Sequence, residues 1–367
     1  MHIASVDVIP VRIPLTAPVR MATHTITHAA NVLVRMESGD GVVGWGEAAE
    51  AHNMTGDLQP GIAAAARQLA QRYRGADARR LRALARAADA DMHANTSAKS
   101  ALDMAAHDLV ARTRGVPLHD LLGGAVRSHI AALCIVGSGD PDADAERAAA
   151  GRAAGHREFK LKVGMAGVDS DARAALAVRE AIGFDAVLGA DANQSLTVAR
   201  AVRFLQRAQD ADLAYLEQPL PGTDPRGLAA LRAATTVGIG IDEGLHAVRD
   251  LLDLAAAGAV DGVALKLIKT GGVGATMLAL ELAELLGLAV NLSGKIAETS
   301  IAAAALTHVA AAAPALAWGF SVTNHLLEAD VARTPIAISD GGVDAPTGPG
   351  LGIDVDEGAV AEHRVDG

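Results

Sequence analysis

The chain has a single cysteine, Cys134, so no internal disulfide can form. Its stability must come from a packed core, as is usual in a reducing compartment. Cys134 lies in an apolar stretch with no base beside it in sequence, and reads as an inert core thiol. Aromatic residues are scarce, at 2 %, and Ala, Val and Leu carry a composition that is 50 % hydrophobic. Small side chains of this kind suit helices packed closely on a sheet. Positive charge is the minority: 32 Lys and Arg against 43 Asp and Glu leave a net charge of −11. That balance argues against nucleic acid or an anionic membrane surface as partner. Long apolar runs are also missing; residues 251–257 and 301–313 are short and alanine-rich, below the ~20 residues of a membrane span. The opening Met1-His2-Ile3-Ala4-Ser5-Val6 has neither the basic stretch nor the apolar run of a secretory signal. The expectation is a soluble, cytoplasmic protein.

What is present falls into three parts: residues 1–125, 126–325 and 326–367. The first begins with alternating segments. Residues 3–9 read as a strand, followed by a polar loop around Met21 to His28; residues 31–36 and 41–47 flank Ser38-Gly39-Asp40 as a hairpin. From about Gly61 to Arg114 the period turns helical, with Ala and Leu on one face and Arg on the other. This makes an α+β unit.

From about Ser128, apolar strands alternate with Ala-rich helices. Candidate strands are residues 130–136, 158–163, 186–189, 214–216, 237–241, 262–267 and 289–292; candidate helices are 172–182, 197–209, 226–234, 247–256 and 274–286. Alternation at this spacing predicts parallel βαβ units, and seven or eight of them over about 200 residues suit a closed (β/α) barrel. The Gly- and Pro-rich stretch from Gly341 to Gly352 cannot add another such unit and is expected to return to the N-terminal part.

Polar residues at the ends of apolar strands are the informative feature. The second strand carries Lys160-Leu161-Lys162, the third ends at Asp191-Ala192-Asn193, the fourth at Glu217-Gln218-Pro219, the fifth at Asp242-Glu243, and the sixth carries Lys266. The spacings are 191−162 = 29, 217−191 = 26, 242−217 = 25 and 266−242 = 24. Each is one βα unit, so all five positions come round the same C-terminal rim, where barrel active sites lie. One Asp or Glu at a strand end is ordinarily a helix cap or a solvated residue; five charged positions at unit spacing are a site. Three neighbouring carboxylates repel one another unless a cation joins them, and all-oxygen donors suit Mg²⁺. Such a cation would accept a substrate carboxylate and stabilise its enediolate, making the neighbouring proton removable by a lysine of depressed pKa. Lys160 and Lys162 project to one side of their strand, and each disfavours the other's proton. Lys269 and Asp250 read as surface residues, and Glu243 as either a direct contact or a supporting hydrogen-bonding group.

These elements resemble the enolase superfamily, and within it the muconate lactonizing enzyme subgroup of the mandelate racemase/muconate lactonizing enzyme family. The match runs through Lys160/Lys162, Asp191/Asn193, Glu217-Gln218-Pro219, Asp242-Glu243 and Lys266/Lys269-Thr270-Gly271-Gly272, with Gly44-Trp45-Gly46-Glu47, residues 98–103, 115–118 and 121–124, and Pro349-Gly350-Leu351-Gly352 resembling the rest of the chain. The resemblance implies a (β/α)7β barrel under an N-terminal α+β capping domain that the C-terminal segment completes. It implies Asp191, Glu217 and Asp242 as ligands of Mg²⁺ (Mn²⁺ substituting), Lys162 and Lys266 as the acid/base pair, and a symmetric homo-oligomer. Lysine on the sixth strand sets the chain apart from the mandelate racemase subgroup.

Substrate in this family is read by the N-terminal loops and by the ends of the seventh and eighth strands. Ser293 and Glu298 fall in the seventh-strand region, and Glu298 matches a glutamate that faces substrate. His24 and His28 belong to the loop after the first strand, and Lys160, Asn193 and Glu243 complete the residues expected either to touch substrate or to support those that do; Trp45 reads as core. The eighth-strand Ser321-Val322-Thr323 lacks the Asp-X-Asp of dipeptide epimerases, and 321–325 lacks the Glu-Leu-X-Gly-Pro run of muconate cycloisomerases. The expected activity is racemisation or epimerisation of a small amino-acid-derived carboxylate such as a proline derivative, or syn-dehydration where a β-hydroxyl can leave. A muconate-type cycloisomerase is the alternative; a non-catalytic barrel is the remote one, and would be expected to have lost a ligand or base.

Overall fold

The computed structural model describes residues 1–21 and 24–366. Ala22 and Thr23, in the polar loop expected after the first strand, and Gly367 lie outside the described residues. Strands β1 (Ile3–Arg20), β2 (Thr25–Ser38) and β3 (Val43–Ala49) form an antiparallel sheet in that order. Strand β1 runs well beyond the expected 3–9. Pro10 and Pro14 break the alternation that marks a strand in sequence, but β1 is an edge strand, where a missing N–H costs no ladder bond. The register shifts between Ile3 and Ser5 and again between Pro14 and Val19.

Helices α1 (Gln59–Tyr73), α2 (Leu81–Asp91) and α3 (Thr96–Arg114) cover this sheet. Helix α3 is not the one-faced helix the Arg/Ala pattern suggests: every residue from Ser97 to Ala111 is buried. It lies between β3 and the barrel, and its alanines and serines let both neighbours approach. Asp108 of α3 accepts bonds from the backbone N–H of Trp45 at 2.8 Å and of Leu351 at 2.7 Å. One carboxylate thus joins β3, α3 and the C-terminal segment.

After the single turn α4 (Leu118–Leu121), the stretch expected as one strand over 130–136 is two, β4 (His129–Ala131) and β5 (Leu133–Val136). Strand β4 leaves the barrel because the late strand β13 (Gly342–Asp344) pairs with it antiparallel. The barrel then alternates: α5 (Pro141–Ala153), β6 (Glu158–Lys162), α6 (Val168–Ile182), β7 (Val187–Asp191), α7 (Val198–Arg207), β8 (Tyr215–Glu217), α8 (Pro225–Ala233), β9 (Gly238–Ile241), α9 (Asp250–Ala256) and β10 (Gly262–Leu265). It continues with α10 (Leu267–Thr270), α11 (Val273–Leu285), β11 (Ala289–Ser293), α12 (Ser300–Ala312) and β12 (Phe320–Ser321). Eight parallel strands lie in sequential order from β5 to β12, and the bridge between Ala132 and Phe320 brings the two ends together. A last helix, α13 (Glu357–His363), lies on β1.

Among the described residues, no helix is long and apolar enough to cross a membrane.

Candidate active site

Register positions the site. Lys162 pairs with Asp191, and Asp191 with Glu217, while Glu217 pairs with Gly240. These residues therefore share one level of the barrel interior, and Asp242 stands one inward position higher on its strand. Asp191, Glu217 and Asp242 are all buried. Lys266 follows β10 in extended conformation and caps α10, rather than lying inside a strand that runs to residue 267.

Each carboxylate is held by an ammonium. Lys162 donates to Asp191 at 2.5 Å and to the Asn193 side-chain oxygen at 3.0 Å. Lys160 donates to both Glu217 oxygens at 3.0 and 3.1 Å, and to Asn291 at 3.2 Å. Lys266 reaches Asp242 at 2.5 Å. Lys269, read from sequence as a surface residue, is fully buried and donates to Asp242 Oδ1 at 2.7 Å and to the Ala264 carbonyl at 2.8 Å. It lies one helical turn beyond Lys266, so the turn of α10 carries both ammonium groups to the same carboxylate.

The charges set one another's protonation. Burial alone would raise every carboxyl here and lower every lysine. For Asp242 burial is outweighed by Lys266 and Lys269, which hold it far below its ordinary range. For Asp191 it is outweighed by Lys162 and Lys160, which hold it low. Glu217 is raised, by burial and then by Asp191 and Asp242 working against Lys160. Lys160 was expected to be depressed by Lys162; it is raised instead, because Glu217 and Asp191 overcome its burial.

Supporting groups fix this layer. Asn193 takes a positive φ of 39°, which turns its side chain to donate to Glu243 at 3.0 Å while accepting from Lys162. Glu243 therefore stands as a hydrogen-bonding neighbour of Asn193; its Oε2 is buried without a partner, and burial, Asp242 and Asp191 push it up to about 7. Gln218, fully buried, accepts from the N–H of Asp242 at 2.8 Å and of Gly244 at 3.0 Å and donates to the Leu220 and Gly222 carbonyls. That is the physical content of the Glu-Gln-Pro motif: the glutamine holds the β9 carboxylate in place.

The opposite wall comes from β11 and the cap. Ser293 donates to Asn291, and Lys295 and Glu298 follow it, both buried. Burial and the charge of Glu47 push Glu298 up to about 8, and burial brings Lys295 down to about 8. His24 reaches this wall from the cap, its ring centroid 5.2 Å from that of His52. Burial and then the charges of Lys295, His52 and Lys162 lower it to about 4. His28 sits farther out, against Thr27 at 3.0 Å and Arg12. Ser321 and Thr323 line the cavity as neutral groups, with no carboxylate in the place of an Asp-X-Asp. Trp45 is core, and Cys134 is half-buried with its thiol pushed up by burial. Sequence reasoning missed Lys269 and Lys295; the signal for the second was a lysine among small and apolar residues just past a strand end.

Among the described residues no three carboxylates, imidazoles or thiolates close on a common point, because each carboxylate is turned to its own lysine. The donor set nonetheless fits a hard divalent cation: three buried carboxylates at the ends of adjacent strands offer only oxygen donors. The space among these side chains is only about 40 Å³, so any ligand must displace lysine–carboxylate pairs.

Fold and site together define a capped-barrel enzyme with lysines and carboxylates gathered on one rim. Residues 3–123 match the mandelate racemase/muconate lactonizing enzyme N-terminal domain and residues 143–359 the enolase C-terminal domain-like model, so the chain belongs to that family of the enolase superfamily, whose members among its relatives are isomerases. It is 32 % identical over 365 residues to a chloromuconate cycloisomerase of Pseudomonas putida, covering 97 % of each chain. It is 30 % identical to a hydrophobic dipeptide epimerase of Enterococcus faecalis, over 85 % of this chain and 88 % of that one. The crystal structure of an N-succinyl Arg/Lys racemase from Bacillus cereus superposes with a TM-score of 0.94 at 25 % identity, covering 100 % of this chain and 99 % of that one.

Proposed function

We propose that the chain abstracts the proton α to a substrate carboxylate, with Asp191, Glu217 and Asp242 holding Mg²⁺ or Mn²⁺. When bound there, the cation accepts the substrate carboxylate and offsets the charge of the enediolate. The observation that carries the reading is the rim itself: three buried carboxylates at the ends of adjacent strands β7, β8 and β9, flanked by Lys162 at the end of β6 and Lys266 just after β10. Strands β6 and β10 are four apart in a sheet of eight, so the two ammonium groups approach from opposite sides of the barrel.

Two bases on opposite faces of one carbon fit racemisation or epimerisation: one Nζ takes the proton and the other returns one to the far face. Lys160, tied to Glu217 and Asn291, acts as a fixed cation beneath the reacting carboxylate. Neutral Ser321 and Thr323 give no partner to a free ammonium group, which favours an amino-acid-derived carboxylate with a substituted nitrogen, proline derivatives among them. A muconate-type cycloisomerase is supported by similarity to the chloromuconate cycloisomerase over nearly the full chain; it needs the same stabilised anion and only one of the lysines. A non-catalytic barrel has nothing in its favour, since no ligand or base is missing from the rim.

Proton NMR in D₂O with Mg²⁺ tests the reading against N-acyl amino acids, N-substituted prolines, dipeptides and muconate. Deuterium appearing on the carbon next to a carboxylate, lost on chelation, is expected; lactone formation from muconate without any exchange would favour the cycloisomerase. Exchange that persists without a divalent cation would overturn the metal role.

A further inference from the structure

Lys266 caps the short turn α10 and Lys269 lies within it, while Ile268 of the same turn packs into the core of the cap. Helix α3 of the cap lies against that turn and against α11. One contact there is polar. Asp103, buried, accepts from the Gly274 N–H through Oδ2 at 3.2 Å. His107, one turn further along α3 and also buried, donates from Nδ1 to the Asp103 carbonyl at 2.8 Å, with Oδ2 at 3.3 Å. Burial works against a charged imidazole, but the Asp103 carboxylate outweighs it and raises the pKa of His107. Neither side chain lines the cavity over the rim. A buried ion pair is seldom a gain in stability over apolar packing, so the pair points to placement.

What it places is the chain that leads to Lys266. Gly272 takes a φ of 127°, and a Cβ there would run into the Asp103 carboxylate, so the glycine lets this segment pass close under α3. The Thr276 N–H donates to the Gly272 carbonyl at 3.0 Å, and its hydroxyl meets that of Thr270 at 2.6 Å. The Thr270 hydroxyl donates in turn to the Lys266 carbonyl at 3.2 Å, which also accepts from the Lys269 N–H at 3.0 Å. From Asp103 to Lys266, each link is a hydrogen bond or a residue or two of chain. Lys162, by contrast, ends β6 and is held by Asp191 and Asn193 of the neighbouring strand and its loop.

We propose that Asp103, supported by His107, is a positioning residue for the base Lys266, so that the cap sets the place of one base and leaves the other to the barrel. This rests on the reading above, in which Lys162 and Lys266 reach one carbon from opposite faces. Loosening the turn leaves Lys162 and Asp191 where they are and carries the Lys266 ammonium off the line of the proton. A misplacement of about 1 Å is enough to slow such a step by about 10²-fold. The consequence is asymmetric. An enzyme slowed at Lys266 alone still exchanges the proton of the enantiomer that faces Lys162, returning deuterium to the same face, but no longer that of its mirror image.

The test compares wild type, Asp103→Ala, Asp103→Asn and Thr270→Val as the Mg²⁺-loaded full chain. Acetylation with acetic anhydride, mapped by mass spectrometry, needs no substrate and reads the labelling of Lys266 relative to Lys162. Asp103→Ala should raise that ratio at least about fivefold, because local opening of the turn becomes easier. Asp103→Asn keeps an oxygen for the Gly274 N–H and should restore most of the wild-type ratio. Thr270→Val cuts the route inside the barrel, away from Asp103, and should raise the ratio as well; general unfolding exposes both lysines and leaves it flat. Proton NMR in D₂O then follows the D and L forms of N-acetyl amino acids and N-acetylproline. In Asp103→Ala the exchange of one enantiomer should fall by about 10²-fold while the other stays within about twofold. A ratio unchanged in both Asp103→Ala and Thr270→Val, or exchange lost equally from both enantiomers, would overturn the positioning role. No exchange of either form in wild type overturns the two-base reading instead, and the acetylation ratio then decides on Asp103 alone.

Discussion

The two ends of the barrel interior are built from the same strands in opposite styles. At the C-terminal rim, Asp191, Glu217 and Asp242 meet lysines. Two residues earlier on the same inward face stand Gly189, Tyr215 and Gly240. There the Tyr215 ring stacks on Trp318, centroids 4.5 Å apart and planes 15° from parallel, and the glycines leave room for the pair. One end of each strand thus holds buried charge at a cost, while the other fills the floor with two of the chain's few large aromatics. Lys160 joins the levels, since Asn291 accepts from it and donates to the Trp318 carbonyl at 2.9 Å. The difference teaches where function and stability are kept: charges at the rim are replaceable at little cost in folding only if their partners remain satisfied, whereas the floor is packing alone.

The comparison breaks most sharply at the rim. Glu217→Gln should lower turnover by at least about 10³-fold, the scale of removing one electrostatic stabiliser of the reacting charge, and should abolish the response of binding to Mg²⁺. Steady-state rates and a metal titration check both; unchanged activity would remove Glu217 from the ligand set. Lys162→Ala and Lys266→Ala should each stop racemisation. If one variant still racemises, the two-base mechanism gives way to a one-base elimination or cyclisation.

The floor should respond in the opposite sense. Trp318→Ala deletes a buried aromatic stacked on Tyr215, and should cost about 3–5 kcal/mol of stability while leaving kcat of the folded enzyme near its original value. Urea denaturation followed by circular dichroism, with activity on the surviving native fraction, reads both. A drop in kcat with no loss of stability would show that the floor communicates with the rim.

Where cap meets barrel, Glu47 of β3 accepts from the Thr299 N–H and hydroxyl, the Ala302 N–H and Asn31, at the start of α12. Burial nevertheless pushes its carboxyl from 4.5 up to about 7. A folded-state pKa above the unfolded one means the native state holds the proton more tightly, so its contribution is complete below about pH 4.5 and is lost as pH rises to about 7. A shift of this size corresponds to about 3 kcal/mol. Glu47→Gln should remove that share of the fall in stability between pH 5 and 7.5; an unaltered pH profile would show that the four donors keep the carboxylate ionised.

The rim was legible in sequence because barrel topology turns regular spacing into position: one charged residue per βα unit lands on one circle whatever the helices between do. The floor was not, since nothing local in Tyr215 or Trp318 shows that residues 103 positions apart stack. The same holds for β4, which reads as continuous with β5 until a strand from the end of the chain claims it. Lys269 escaped because a lysine in a helical turn looks solvated until the turn is known to be buried, and Lys295 because nothing local shows that the residues past β11 are buried.

The smallest expected effect sharpens the floor itself. A Cβ on Gly240 would stand 2.6 Å from Trp318 Cζ3 and 3.3 Å from its Cη2, closer than van der Waals contact allows. The indole cannot simply withdraw, because Tyr215 lies stacked against it and a Cβ on Gly262 would meet it at 2.5 Å from another strand. Gly240→Ala therefore forces either the strand or the ring to move, and overpacking of this kind costs about 1–3 kcal/mol. Gly240 also pairs in register with Glu217, so a shift of β9 would reach the rim. In Trp318→Ala the space is already open, and Gly240→Ala added there should cost far less than in wild type. A double-mutant cycle measures the difference. Additive costs would mean that the glycine serves the strand and not the aromatic pair.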